Sequence, residues 1–252
     1  DKRHDTRLWL PTSVKDMELL GWDYLDVIIF SGDAYVDHPS FGASVIGRTL
    51  QAAGYRVAIV PQPNWRDDLR DFKKLGVPRL FFGVSAGAMD SMVNHYTAAR
   101  RKRSDDAYTP DGRAGMRPDY PTIVYSEILR KLYPDTPIIA GGIEASLRRV
   151  SHYDYWQDKL RPSILMDAPV DMVSYGMGEQ TMLEIASRLS AGESIIELTD
   201  IPQTAFVTFC EEMPQTPDAE NIILASYEEC LKNKKAQSNN FKHVEQQSNR
   251  MH

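Results

Sequence analysis

Tyr24 to Val60, YLDVIIFSGDAYVDHPSFGASVIGRTLQAAGYRVAIV, is the stretch that most restricts what this chain can become. Leu25 to Phe30 is a short apolar run rich in β-branched residues, the length of a strand buried on both faces, as in a parallel sheet. A polar loop follows from Ser31 to Pro39, carrying Gly32, Asp33, Asp37 and His38. A helix is expected from Pro39 or Ser40, because proline suits a first helical turn. Phe41, Val45, Ile46, Leu50 and Ala53 fall at helical spacing, Gly54 stops the helix, and Tyr55 to Val60 returns as a second buried strand. Strand, loop, helix, strand is the opening unit of a doubly wound sheet, and such sheets bind ligands at the carboxyl ends of their strands.

The same alternation continues. Arg79 to Ser85, Pro137 to Ala140 and Val170 to Tyr175 read as three more strands. Helices are expected near Asp67 to Leu75, after Ser85, at Thr122 to Tyr133, and through Met182 to Leu189. The predicted fold is an α/β, flavodoxin-like (Rossmann-like) open sheet of about five parallel strands in the order 2-1-3-4-5. Ser194 to Phe209 reads as two strands around Ile201-Pro202, a C-terminal hairpin, and a polar tail follows with a helix in Ala219 to Lys235. The domain reading is an approach segment at 1–22 with a short helix from about Thr12, the α/β domain at 23–209, and a polar linker at 210–252. The chain lacks an initiator Met and stops at NRMH, which reads as a fragment.

The 252 residues carry a net charge of −6, against a general nucleic-acid coat protein. No apolar run reaches the ~18 residues of a membrane span. Two cysteines, Cys210 and Cys230, are too few for a disulfide framework, and a cytoplasmic setting is expected.

Four loops should meet at the carboxyl edge. They contribute the candidate site residues Asp33, Asp37, His38, Ser85, Gly87, Gly141, Gly142, Glu144, Gly176, Gly178 and Glu179. Gly176-Met177-Gly178-Glu179 follows a strand and opens a helix, so its amides could meet an anion, or Glu179 could itself occupy the helix N-terminus. Asp37 and His38 could be an acid–base pair, or Asp37 could cap the helix. Neither the G-x-G-x-x-G dinucleotide fingerprint after the first strand nor a P-loop is present.

Two further stretches stand out. Arg100 to Pro121 has no apolar periodicity and is long for a connection, which marks it as functional or flexible. Its arginines, including Arg113 and Arg117, leave phosphate binding open. His152-Tyr153-Asp154-Tyr155-Trp156 could stack a base or flat cofactor, or pack against a neighbouring domain. Both stretches are expected to lie side by side, facing a domain that follows.

SGDAYVDHPSFGASVIGRTLQAAGYRVAIV, SAGAMDSMVNHYTAARRKRSDDAYTPDGRAGMRPD, GGIEASLRRVSHYDYWQDKLRPSIL and DMVSYGMGEQ closely resemble the N-terminal region of YgiQ-type radical SAM proteins, over nearly the whole chain from about Leu8. In that family the region precedes a radical SAM barrel, whose C-x-x-x-C-x-x-C triplet binds the 4Fe-4S iron–sulfur cluster that cleaves S-adenosylmethionine. The resemblance implies an accessory domain that covers the barrel, assists substrate or cofactor binding, and has its own downstream radical SAM domain as partner. No such triplet exists here, so no cluster ligand carries over to this chain. The chain is also similar to the cobalamin-binding domains that precede many radical SAM barrels. Their histidine-ligating version uses D-x-H-x-x-G. Here Asp37 and His38 are adjacent and Gly42 falls one position late, so His38 is not expected to be an essential axial ligand. The rival reading is a self-standing module for cobalamin or a nucleotide; a small hydrolase using Asp37 and His38 ranks last, because no nucleophile is paired with them.

Overall fold

The computed structural model describes residues 8–35, 41–209 and 221–248. The first helix, α1 (Val14–Leu19), starts at a capping box: Asp16 N donates to Ser13 Oγ at 3.3 Å, and Ser13 N donates to Asp16 Oδ2 at 3.0 Å. The sheet then builds by alternation. β1 (Val27–Ser31) leads through α2 (Gly42–Ala52) to β2 (Val57–Pro61), and α3 (Arg70–Lys73) precedes β3 (Phe81–Ser85). α4 (Ser91–His95), an irregular segment and α5 (Pro121–Leu132) lead to β4 (Ile138–Gly141) and α6 (Gly142–Leu147). A hairpin of β5 (His152–Asp154) and β6 (Lys159–Arg161) is followed by α7 (Ile164–Asp167), β7 (Met172–Ser174), α8 (Glu179–Ser190) and β8 (Thr204–Ala205). α9 (Tyr227–Lys232) and α10 (Lys234–Ser248) end the described chain.

The main sheet has the order β2-β1-β3-β4-β7-β8. Its first five strands are parallel, with Val27 opposite both Val57 and Phe81. This is the predicted 2-1-3-4-5 order. Side chains alternate across it: Ile28 and Phe30 join Phe72, Tyr125 and Leu129 on one face, while Val27 and Ile29 join Leu50, Ile59 and Ile185 on the other. Both faces are covered, which is why these strands read as unbroken apolar runs rather than alternating ones.

One expectation needs correction. Ser194 to Phe209 forms no hairpin; Ile195–Glu197 is a 3-10 turn, and β8 pairs antiparallel with β7. Leu198 and Ile201 are instead drawn into the core, which takes the first half of the segment out of reach of a strand partner. The hairpin lies where the aromatic stretch was read, at β5 and β6. Arg100 to Pro121, read as functional or flexible, is tied to the sheet through Arg117, for the electrostatic reason given below. The tail docks on the β5–β6 hairpin: Tyr227 Oη donates to Leu160 O at 3.2 Å, and Gln237 Nε2 donates to Ser151 O at 3.2 Å.

Candidate ligand-binding site

At the carboxyl ends of β1, β3, β4 and β7 lies a cavity of about 360 Å³, within the roughly 300–1,000 Å³ usual for small-molecule sites. Ile29, Gly83 and Ile139 form its floor, Val45 and Ile46 of α2 and Met182 of α8 its sides, and the glycine-rich turns its rim. Gly83 contributes by having no side chain: a Cβ there would meet Ile29 Cγ1 at 3.4 Å.

Of the residues singled out from the sequence, Ser85, Gly87, Gly141, Gly142, Gly176, Gly178 and Glu179 line this cavity. Asp37 and His38 lie outside the described residues. Asp33 and Glu144 do not line it; each is buried and engaged in holding neighbouring backbone.

Asp33 Oδ2 accepts from Ala88 N at 2.6 Å, and Asp33 Oδ1 accepts from Arg117 Nη1 at 2.9 Å. The approach is close enough to require glycine at two positions. A Cβ on Gly32 would stand 2.1 Å from Ala86 O, and one on Gly87, at φ +113°, would stand 2.1 Å from Asp33 Oδ1. Arg117 is fully buried. Its Nε and Nη2 donate to the two carboxylate oxygens of Asp106 at 3.1 and 3.0 Å, and Nη1 also donates to Ala86 O at 2.9 Å. Burial alone would raise the Asp106 pKa, but the Arg117 guanidinium and the Tyr108 amide hold it below the usual carboxylate value. This clamp ties the irregular segment to the ends of β1 and β3. Arg117 is thereby committed to two carboxylates, which takes it out of the arginines left open for phosphate binding.

Glu144 works as a double cap. Its Oε2 accepts from Ser91 N at 3.0 Å and its Oε1 from Thr122 N at 3.2 Å, so one carboxylate serves the starts of α4 and α5. Arg148 pairs with Asp90, itself the N-cap of α4, and lies over the Tyr120 ring at 5.4 Å. Tyr120 Oη donates to Asp154 Oδ2 at 2.5 Å. Burial and that bond push the tyrosine's pKa well above its ordinary value.

The arginine-rich segment and the aromatic stretch therefore meet. Besides Tyr120 and Asp154, Tyr155 Oη donates to Ala98 O at 2.7 Å, and the Arg100 guanidinium stacks 4.6 Å from the Tyr155 ring. Nearby, His95 Nδ1 lies 2.7 Å from Asp119 Oδ1, and Tyr96 Oη donates to the other oxygen at 2.8 Å.

Two residues of weight escaped the sequence reading. Arg117 was one cation among many, and nothing local marks it as buried. Ser174 left a weak signal, a polar residue closing an apolar strand just before G-M-G-E; it is 5% exposed, lines the cavity, and its hydroxyl has no hydrogen-bond partner among the described residues.

An iron–sulfur cluster does not fit these residues. Cys230 is buried against Asn240, whose Nδ2 lies 3.3 Å from its sulfur. No group of three or more His, Cys, Asp or Glu side chains suited to a metal occurs among the described residues. Among those residues no helix is long and apolar enough to cross a membrane.

The fold and site thus define a Rossmann-like α/β domain with a cavity at its carboxyl edge. Residues 9–252 match the family described as Radical SAM N-terminal, and the chain belongs to that family. It is 62% identical over 253 residues to a UPF0313 protein of Bacteroides thetaiotaomicron, covering 96% of this chain and 40% of that protein. A UPF0313 protein of Porphyromonas gingivalis is 64% identical, with 99% and 39% covered, and one of Pseudomonas putida is 59% identical, with 79% and 26% covered. The chain therefore spans about a quarter to two fifths of the length of these relatives. Among solved structures, the cobalamin- and [4Fe-4S]-bound radical S-adenosylmethionine methyltransferase TsrM of Kitasatospora setae matches with a TM-score of 0.43 and 19% identity, over 71% of this chain and 28% of that one.

Proposed function

We propose that this chain is the N-terminal accessory domain of a radical SAM iron–sulfur enzyme, inactive alone, whose cavity holds a small molecule for a catalytic core further along the protein. The cavity at the carboxyl edge carries this reading: it is preformed, mostly apolar and edged by small residues that let a ligand approach backbone. The 4Fe-4S cluster and S-adenosylmethionine belong to the core, in a cytoplasmic enzyme whose partner is its own downstream domain. Cobalamin is the cofactor reading for the cavity; Ser174 and the glycines at 141, 142, 176 and 178 are the groups that would hold it. The unit boundaries we propose are 1–22, 23–209 and 210–252. A self-standing cobalamin or nucleotide module is the second reading, and the small share of each relative that the chain spans favours the first.

The test uses the intact protein and its Gly83→Val variant, purified without oxygen, with Gly83→Ala as folding control. The expected result is a bound small molecule, or thermal stabilisation by cobalamin or a nucleoside, that Gly83→Val loses while iron content stays unchanged. Equal ligand retention in both proteins sinks the cavity as the site.

A further inference from the structure

With Arg117 withdrawn into its clamp, the other basic residues of the irregular segment face water. Arg100, Arg101, Lys102, Arg103 and Arg113 are all exposed, and none of the five forms an ion pair among the described residues. The exposed acids of the segment are Asp105, Asp111 and Asp119, and Asp119 is already shared by His95 and Tyr96. Backbone hydrogen bonds fix where these cations stand. Tyr96 and Lys102 bridge antiparallel, Thr97 N donates to Arg101 O at 2.9 Å, and Arg103 N donates to His95 O at 2.8 Å, which closes a hairpin. A second bridge joins Asp105 to Arg113. At the hairpin's turn Arg100 N donates to Thr97 O at 2.9 Å, with φ at +59°, a left-handed conformation uncommon for a residue with a side chain.

That turn leans on the aromatic stretch. Arg100 stays exposed while its guanidinium stacks on the Tyr155 ring, so the pair presents a flat cationic surface. Tyr153 stands two residues back, 55% exposed, its phenol held by Asp158 and lying in the field of Arg100. A row of fixed cations beside anchored rings suits a chain of phosphates that carries unstacked bases. The cations attract phosphates, and every base has a π face that a ring or a guanidinium plane can cover. An acidic polypeptide would engage the cations and leave the rings idle, and a duplex keeps its base faces stacked inside.

Building on the accessory-domain reading above, we propose that this face binds single-stranded nucleic acid and holds it for the catalytic core. The phosphates lie along Arg101, Lys102, Arg103 and Arg113, and bases stack on Tyr153 and on the guanidinium of Arg100. The net charge of −6 keeps nucleic acid off the rest of the chain, so binding is confined to this ribbon rather than spread as in a coat protein.

Fluorescence anisotropy of the intact protein tests this, with labelled RNA and DNA strands of about twelve nucleotides, the RNA as a duplex, and heparin as a polyanion without bases. At least one single strand should bind about tenfold more tightly than the duplex, and the tighter of the RNA and DNA strands names the source. Arg101→Gln with Arg103→Gln should weaken that strand at least about tenfold and lower the slope of log affinity against log salt by about 1.4, two phosphates' worth. Tyr153→Leu should weaken the strand about tenfold and leave heparin unchanged, while Tyr153→Phe keeps the parent affinity. These positions are exposed, so every variant should melt like the parent. No strand binding, a duplex bound as tightly, a Tyr153→Leu variant with unchanged strand affinity, or an equal loss of heparin overturns the proposal. If no strand binds while amide exchange in 100–121 is still slower in the intact protein than in the isolated chain, the ligand class falls and the accessory-domain reading stands.

Discussion

Arg117 and Asp33, far apart in the chain, meet at 2.9 Å with both side chains almost wholly removed from water. With Asp106 on its other side, Arg117 joins the end of β1, the turn after β3 and the irregular segment before α5. Removing one partner from a buried charged set leaves the others uncompensated, at a cost of about 3–5 kcal/mol. Arg117→Met should therefore lose stability of that order in urea unfolding, and Arg117→Met with Asp106→Asn should recover part of it. A loss under about 1 kcal/mol would show that water replaces the guanidinium at little cost, as at an exposed pair.

Glu144 should behave as a cap rather than a reactive carboxylate. Gln at this position keeps one acceptor and turns an N–H group toward the second amide. The loss of one buried bond predicts about 1–3 kcal/mol of destabilisation in denaturant titrations. If Glu144→Gln matched the parent in stability while changing ligand affinity, the capping role would be displaced by a binding one.

Gly32 should tolerate no side chain. A Cβ would sit 2.1 Å from the carbonyl oxygen of Ala86, a backbone atom that cannot swing aside. Gly32→Ala should exceed the ~3 kcal/mol ceiling of ordinary substitutions. Gly42→Ala, with nothing among the described residues within 4 Å of the new methyl, is the control and should melt like the parent.

His152 makes stability pH-dependent. Burial is the largest influence on it and depresses its pKa below the ordinary 6.5, outweighing the Val150 carbonyl beside Nδ1. The unfolded chain then binds a proton before the folded one does. The neutral imidazole's contribution is whole above about pH 6.5 and is lost as pH falls through the folded value. Melting temperature should drop between about pH 7 and 5, and His152→Asn should flatten that part of the profile. An unchanged slope in the variant would assign it to other groups.

The segment at 100–121 and the stretch at 151–157 should form one face toward the catalytic core. Aromatic and arginine side chains are the types enriched at interface centres, and Tyr153 and Tyr155 remain exposed after the two stretches have packed together. Hydrogen exchange should slow in both when the remainder of the protein is present. Equal protection in the isolated chain and the intact protein would reduce their pairing to local structure.

The sequence by itself determined the layered sheet. Apolar runs such as Val27–Phe30 and Val57–Val60 have only one way to bury both faces, and Gly54 and Gly192 punctuate the helices that cover them. It also determined which turns reach the carboxyl edge, because strand direction follows from alternation with helices. Tertiary structure alone decided the fate of the polar residues. Arg117 and Arg113 sit in the same charged segment, yet only Arg117 is fully buried, its fork taken by carboxylates brought from residues 33 and 106. Glu144 looked like a site residue until α4 and α5 placed two unpaired amides against it. Ser174 shows the reverse. Its local sequence carries only a weak signal, and the folded geometry alone leaves its hydroxyl buried, without a partner among the described residues, and beside the start of α8. Burial patterns are written residue by residue along the chain; the partner that a charge or hydroxyl meets depends on which distant backbone arrives there.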